Sequence, residues 1–191
     1  METRNKDLRI QKTEKSIRNA LYQMVNEKKY TDISVTELSK RAEIGRKTFY
    51  LHYDSIESVF NEIRDELVYE LRNLLDNKAY INNRFDINVL FISLNKTMEN
   101  HLDFYKRIVN ANSYAFFLND FVDSFKNIMR EQLRKSDINH PLENMYIEFF
   151  STGLLSIYIK WLKGEIPLTL ESITKFAEEA VNNGIKNLII N

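Results

Sequence analysis

Apolar residues recur at steps of three and four along almost the whole chain, a spacing that predicts helices nearly from end to end. The first such run sets Ile10, Ile17, Ala20, Leu21, Met24 and Val25 on one face of a helix from about Asp7 to Glu27. Ser34, followed three residues later by Glu37, has the spacing of a capping box, so a second helix begins near Val35 with Leu38 and Ala42 on its inner side. Gly45 ends it, since glycine tolerates the positive φ that a tight interhelical turn often demands. The chain restarts at once with Arg46-Lys47-Thr48-Phe49-Tyr50, a helix of about two turns in which Phe49 points inward with Ile33, Val35, Leu38 and Ile44.

After Asp54 or Ser55 as N-cap, Val59, Phe60, Ile63, Leu67, Leu71, Leu74 and Leu75 keep the helical step through about Asp76. Residues 77–84 break the period and hold three asparagines, which makes them the expected loop. Further helices are expected near 86–100, 102–111, 114–135, 142–163 and 170–188, with breaks at 136–141 and 163–167. With 4 glycines and 2 prolines there is little material for hairpins. The pattern thus predicts an all-α chain of about nine helices, a three-helix headpiece over residues 1–54 and a larger helical bundle over 55–191.

Chemistry concentrates on the outward face of the short third helix. Arg46, Lys47, Thr48 and Tyr50 bring guanidinium, ammonium, hydroxyl and phenol groups, all suited to phosphate oxygens or base edges. The charge of the chain is uneven in the same sense. Its 27 basic and 27 acidic residues balance overall, yet residues 1–53 hold 12 Lys or Arg against 7 Asp or Glu, and residues 54–191 hold 15 against 20. A basic N-terminal third on an acidic body suits a protein that presents one end to DNA.

The run Val35-Thr36-Glu37-Leu38-Ser39-Lys40-Arg41-Ala42-Glu43-Ile44-Gly45-Arg46-Lys47-Thr48-Phe49-Tyr50-Leu51-His52-Tyr53 resembles the N-terminal domain of the tetracycline-repressor (TetR) family, over about residues 8–60. The resemblance implies a helical homodimer with a helix-turn-helix headpiece and a C-terminal domain for dimerisation and effector binding. Carried over by position, base reading falls to Thr36, Arg46, Lys47 and Thr48, and phosphate contact to Tyr50 and His52, with Tyr53 beside them. One departure stands out: where the family usually opens the next helix with a phosphate-contacting lysine, this chain has Ile56, which shifts weight to the arm residues Arg4, Lys6, Arg9 and Lys12. The implied partners are a palindromic double-stranded operator read in the major groove, a second copy of the chain and a small-molecule effector, and the implied activity is repression relieved by that effector. The stretch from Phe149 to Leu162 also resembles a TetR subgroup that includes regulators similar to those of dihydroxyacetone kinase operons; some relatives work as activators or with a partner protein, which keeps activation, or an interaction module with little DNA binding of its own, as the alternative.

The last two helices carry the oligomerisation signal. Phe149, Ile157 and Trp161 belong to a helix apolar over more of its circumference than one internal contact requires, and Ala177, Ala180, Val181 and Gly184 give the final helix small residues for close approach. Two such helices from each subunit would form a two-fold interface, and a dimer reads two half-sites where one short helix reads too few bases. An effector pocket in the body would draw on aromatic walls such as Phe91, Tyr105, Phe117, Phe121, Tyr146 and Phe150, favouring an uncharged, partly apolar molecule.

Other classes find no support in the residues. The chain has no glycine-rich phosphate loop, no Gly-x-Ser-x-Gly elbow and no cysteine, which leaves no enzyme motif, no disulfide and no thiolate metal site, and its 3 histidines lack a partner at ligand spacing. No cofactor is implied. No apolar stretch approaches the roughly 20 residues that span a bilayer, and the N-terminus lacks the apolar core of a signal peptide, so a soluble cytoplasmic protein is expected.

Overall fold

The computed structural model describes residues 2–78, 80–81, 84–85, 89, 92, 95–96, 101–135 and 142–189. Among them are eight α-helices: α1 (Glu2–Glu27), α2 (Val35–Arg41), α3 (Arg46–Tyr50), α4 (Ile56–Lys78), α5 (Leu102–Asn110), α6 (Ala115–Lys135), α7 (Glu143–Leu162) and α8 (Leu170–Ile189). Single 3-10 turns lie at Tyr30–Asp32 and Asn112–Tyr114. The all-α class expected from the apolar spacing is therefore present, with one small exception. Residues 77–84 were expected as loop, but α4 runs on to Lys78 and β1 (Tyr80–Ile81) then pairs antiparallel with β2 (Arg84–Phe85), Tyr80 opposite Phe85 and Ile81 opposite Arg84. Of the helix expected over 86–100, Val89, Ile92, Asn95 and Lys96 are described and are helical; the break expected at 136–141 lies outside the described residues.

By packing, the chain divides into two compact units: Met1–Glu66 with His101–Phe117, and Leu67–Asn100 with Leu118–Asn191. The first unit thus takes in more than the headpiece of residues 1–54, since the start of α4 and the whole of α5 pack with it. Its core is built from Ile17, Leu21 and Met24 of α1, Leu38 of α2, Phe49 of α3, Phe60 and Ile63 of α4, Phe104 of α5 and Tyr114, all buried. Around Phe60 the rings meet edge to face and tilted, with Tyr114 at 5.7 Å, Phe116 at 5.6 Å and Phe117 at 6.2 Å between centroids. Helix α1 begins five residues earlier than its apolar pattern predicts, and Ile10, expected on the packed face, is exposed; burial starts at Ile17. Val35 and Ile44, expected inside, are half-buried.

The second unit packs Phe121, Phe125 and Ile128 of α6, Ile147, Leu154, Leu155, Tyr158 and Leu162 of α7, and Ile173, Ala177 and Val181 of α8. The buried Gln132 amide donates to Asp76 Oδ1 at 2.7 Å, and Lys126 Nζ reaches Glu148 Oε2 at 2.6 Å. Helix α7 stops where Gly164 takes a left-handed φ of 78°, which lets Gly164 N–H reach Trp161 O and Glu165 N–H reach Lys160 O, both at 2.9 Å. That closing pair of bonds satisfies carbonyls the helix itself cannot.

Candidate nucleic-acid interface

The hairpin of α2 and α3 is held by its own backbone groups. Ser34 Oγ accepts from Glu37 N–H at 3.2 Å, as the capping spacing predicts, but the Glu37 carboxylate turns away to Lys28 Nζ at 2.7 and 2.8 Å, so the box closes from one side. At the other end, Glu43 N–H donates to Lys40 O at 3.2 Å and Ile44 N–H to Ser39 O at 3.0 Å. The residue at positive φ there is Glu43, at 58°, not Gly45. Gly45 has φ −76° and ψ 150° and serves as the N-cap of α3; a Cβ on it would meet nothing closer than Thr48 Oγ1 at 3.9 Å. The helix stop and the next helix start are thus separate tasks two residues apart. Ser16 of α1 adds a bond of 2.9 Å to Ala42 O, covering another free carbonyl at the end of α2.

Phe49 fixes the rotation of α3. Its ring is fully buried, and Arg46, Lys47 and Tyr50 consequently lie exposed, with Thr48 half-buried and Thr36 exposed on α2. Tyr50 stands edge-on to Phe49, centroids 5.5 Å apart. Arg46 and Lys47 have no hydrogen-bond or ion-pair partner among the described residues, whereas Arg41 is held by Glu27, Lys28 by Glu37 and Arg18 by Glu62 and Glu66. Arg46 and Lys47 on the outward face of α3 are thus without an internal counter-ion among the described residues, as are exposed Arg9, Lys12, Lys15, Lys29, Lys40 and Lys106 elsewhere in this unit. The side chains of Arg4 and Lys6 lie outside the described residues.

Two expected contacts, Tyr53 and His52, are turned inward. Tyr53 is 6 % exposed, packed at 5.8 Å from the Phe49 ring, and burial followed by the nearby Glu62 raises its phenol far above the usual range; it lies one helical turn after Phe49 and faces the same way, into the core. His52 is mostly covered and its Nδ1 meets Glu14 Oε1 at 3.2 Å. Ile56, standing where a cation was expected, is buried at the first position of α4, which Ser55 caps by accepting from Ser58 N–H at 3.1 Å. One surface residue was missed: Leu51 is 77 % exposed, a large apolar side chain beside Tyr50. Two positions after the inward Phe49, it falls on the opposite side of the helix, a signal the spacing contained.

The described residues among the six aromatics expected to line an effector pocket are divided between the two units. Phe91 lies outside the described residues. Tyr105 and Phe117 are buried in the first unit, against Phe104 at 5.2 and 6.1 Å; Phe121 is buried beside Phe125 in the second, where half-buried Tyr146 and Phe150 stack in parallel at 6.2 Å. Of the residues expected at a dimer interface, Ala177 and Val181 are buried within their own unit, and Gly184 faces the ring of Phe150 of the same chain. Phe149 is 74 % exposed, with Met145 one turn before it, Gly153 one turn after it and Phe176 on α8 also open to solvent. Ile157, Trp161 and Ala180 are half-buried, and Trp161 Nε1 donates to Leu168 O at 3.1 Å.

No group of three or more His, Cys, Asp or Glu side chains among the described residues could hold a metal ion, and no described helix is long and apolar enough to cross a membrane. A capped helix, a left-handed turn and a short helix whose cations lack internal partners define a helix-turn-helix protein. A family model described as a transcriptional regulator C-terminal region matches residues 86–183. The chain is 30% identical over 138 residues, 71% of each sequence, to the HTH-type dhaKLM operon transcriptional activator DhaS of Lactococcus lactis subsp. lactis (strain IL1403). Among solved structures it is similar to the dihydroxyacetone kinase operon activator DhaS, with a TM-score of 0.63, 20% identity and coverage of 93% and 97% of the two chains. A TetR-family regulator from Syntrophomonas wolfei superposes with a TM-score of 0.73 at 13% identity, covering 95% and 99%. This chain belongs to the TetR family of transcriptional regulators, a family of regulators and not of enzymes.

Proposed function

We propose that this regulator acts as a homodimer that binds a palindromic operator, each subunit laying α3 in the major groove. The observation that carries the reading is the pair Arg46 and Lys47, exposed on α3 without internal counter-ions while Arg41 of α2 and Lys28 beside it are paired. Arg46, Lys47, Thr48 and Thr36 reach base edges, Tyr50 meets phosphate, and Leu51 offers an apolar contact to sugars or thymine methyls. His52 and Tyr53 support α3 from behind. Residues 1–54 supply the DNA-binding function and 55–191 dimerisation and effector binding, in the cytoplasm.

The dimer forms through the open face of α7 and α8, centred on Phe149, Gly153 and Phe176, with Ile157, Trp161 and Ala180 at its edge. Large apolar side chains left this exposed are what a subunit interface covers. An uncharged, partly apolar effector binds in the second unit near Tyr146, Phe150 and Phe121 and selects a dimer geometry whose headpieces no longer match the half-sites. Regulation is then repression relieved by ligand.

A second reading, activation, is favoured by one observation: the similarity to a protein named as an operon activator. The test is a gel shift with DNA flanking the gene, comparing the parent with Arg46→Ala and Lys47→Ala, followed by transcription in vitro from the bound promoter. Specific binding lost in both variants supports the operator reading, and the direction of the change in transcript assigns the sign. Equal binding by parent and variants would overturn the role of α3.

A further inference from the structure

The last carbonyls of an α-helix have no partner inside it. At the end of α1 the carbonyl of Lys28 accepts a 2.8 Å hydrogen bond from the hydroxyl of Tyr114, 86 positions along the chain. Tyr114 is fully buried within the first unit, its ring 5.7 Å from Phe60 and 6.3 Å from Tyr30, and Tyr30 in turn lies 4.9 Å from Phe116. Burial raises the phenol above its usual range, so the hydroxyl remains a donor.

The same short stretch of α1 is where α2 is held. Lys28 Nζ spans both carboxylate oxygens of Glu37 at 2.7 and 2.8 Å, and Glu27 takes Arg41 through bonds of 2.6 and 2.8 Å. Glu37 and Arg41 are one turn apart on α2, while Glu27 and Lys28 are adjacent, so the two pairs run with opposite polarity. Sliding α2 by one turn would set Glu37 against Glu27 in one direction or Arg41 against Lys28 in the other, which makes the register specific. A short turn then hands that register on to α3.

We propose that Tyr114 is a positioning residue for DNA binding: by capping α1 at Lys28 it fixes the paired end of α1 against α2 and so sets the pose of α3. The proposal rests on α3 being the helix that reads DNA. Tyr114 stands immediately before α6, whose first residues, Ala115 to Phe117, belong to the same unit as the hairpin.

The test uses the full chain as Tyr114→Phe, Glu37→Gln and the double variant, with Arg46→Ala as control. Operator affinity is read by fluorescence anisotropy and amide hydrogen exchange is followed in the free protein. Tyr114→Phe keeps the ring and removes one hydrogen bond, so operator Kd rises about fivefold. Glu37→Gln weakens binding on its own but adds less than about twofold in the Tyr114→Phe background, because both act through one chain of interactions. Exchange rises over residues 27–45 in Tyr114→Phe and stays at the parent level along α4. Multiplying effects, or an unchanged Kd in Tyr114→Phe while Arg46→Ala loses binding, overturn this proposal alone. A parent that binds no operator overturns the DNA reading instead, and unchanged exchange over α2 then overturns the positioning role independently of DNA.

Discussion

His52 Nδ1 lies 3.2 Å from Glu14 Oε1, joining the end of α3 to the middle of α1 across 38 positions of sequence. With its side chain 11 % exposed, the imidazole contributes more by holding α3 than by reaching outward. His52→Ala is therefore expected to lower the unfolding free energy by about 1 kcal/mol, and Glu14→Ala by a similar amount. The double variant should lose clearly less than the sum of the two, measured by urea unfolding. Additive losses would mean the pair contributes nothing.

Helices α2 and α7 end with the same pair of backbone bonds, one around Glu43 at φ 58° and one around Gly164 at φ 78°. A side chain at left-handed φ costs about 1 kcal/mol, which glycine avoids. Glu43→Gly should raise stability by about 1 kcal/mol and Gly164→Ala should lower it by about as much. Thermal melts of the two variants, shifting in opposite directions, provide the check. Glu43→Gly also removes a negative charge beside α3 and should not weaken DNA binding.

Much of this was legible along the chain. The capping spacing at Ser34 and Glu37, the inward Phe49 and the break at 163–167 follow from local patterns, and the described boundaries of α2, α3 and α8 fall within a few residues of expectation. A non-glycine at positive φ leaves no mark in composition, so the left-handed position that the sequence suggests at Gly45 lies at Glu43 instead. Tyr53 lies a step of four from Phe49, a spacing that points it inward with that ring. The association of residues 101–117 with the first unit, including the bond from Tyr114 to Lys28, is a long-range contact, and no local period encodes it.

Gly184 illustrates the same limit in α8. A Cβ there would fall within contact distance of Cζ of Phe150 and 3.0 Å from its Cε1, so the missing side chain makes room for a ring of the same chain. Gly184→Ala should cost about 1–2 kcal/mol by overpacking. Phe150→Leu in the same chain should restore most of it, as read by chemical denaturation. A loss that the second substitution leaves untouched would trace instead to backbone or interface effects.

His101 stacks on Tyr22 with ring centroids 3.9 Å apart and planes at 21°, and burial lowers its pKa. In the unfolded chain the imidazole takes its proton near pH 6.5, about the ordinary value, while the folded protein resists it to lower pH. Between the two the unfolded state binds more protons, so this contribution to stability is present above the unfolded pKa and is lost as pH falls towards the folded one. His101→Phe keeps a stacking ring without the titration. Its unfolding free energy should fall less than the parent's between about pH 7.5 and about pH 5.5; equal falls would assign the acid sensitivity elsewhere.

The most direct test of the account is the salt dependence of operator affinity, measured for the parent and for a variant with Arg46 and Lys47 both changed to alanine. The account predicts that log K of the parent falls steeply and linearly with log salt. The variant should bind far more weakly, with a slope shallower by about 0.9 for each phosphate that it no longer neutralises. A variant with the parent's affinity and slope, still dimeric and folded, would contradict the claim that α3 carries the DNA contact.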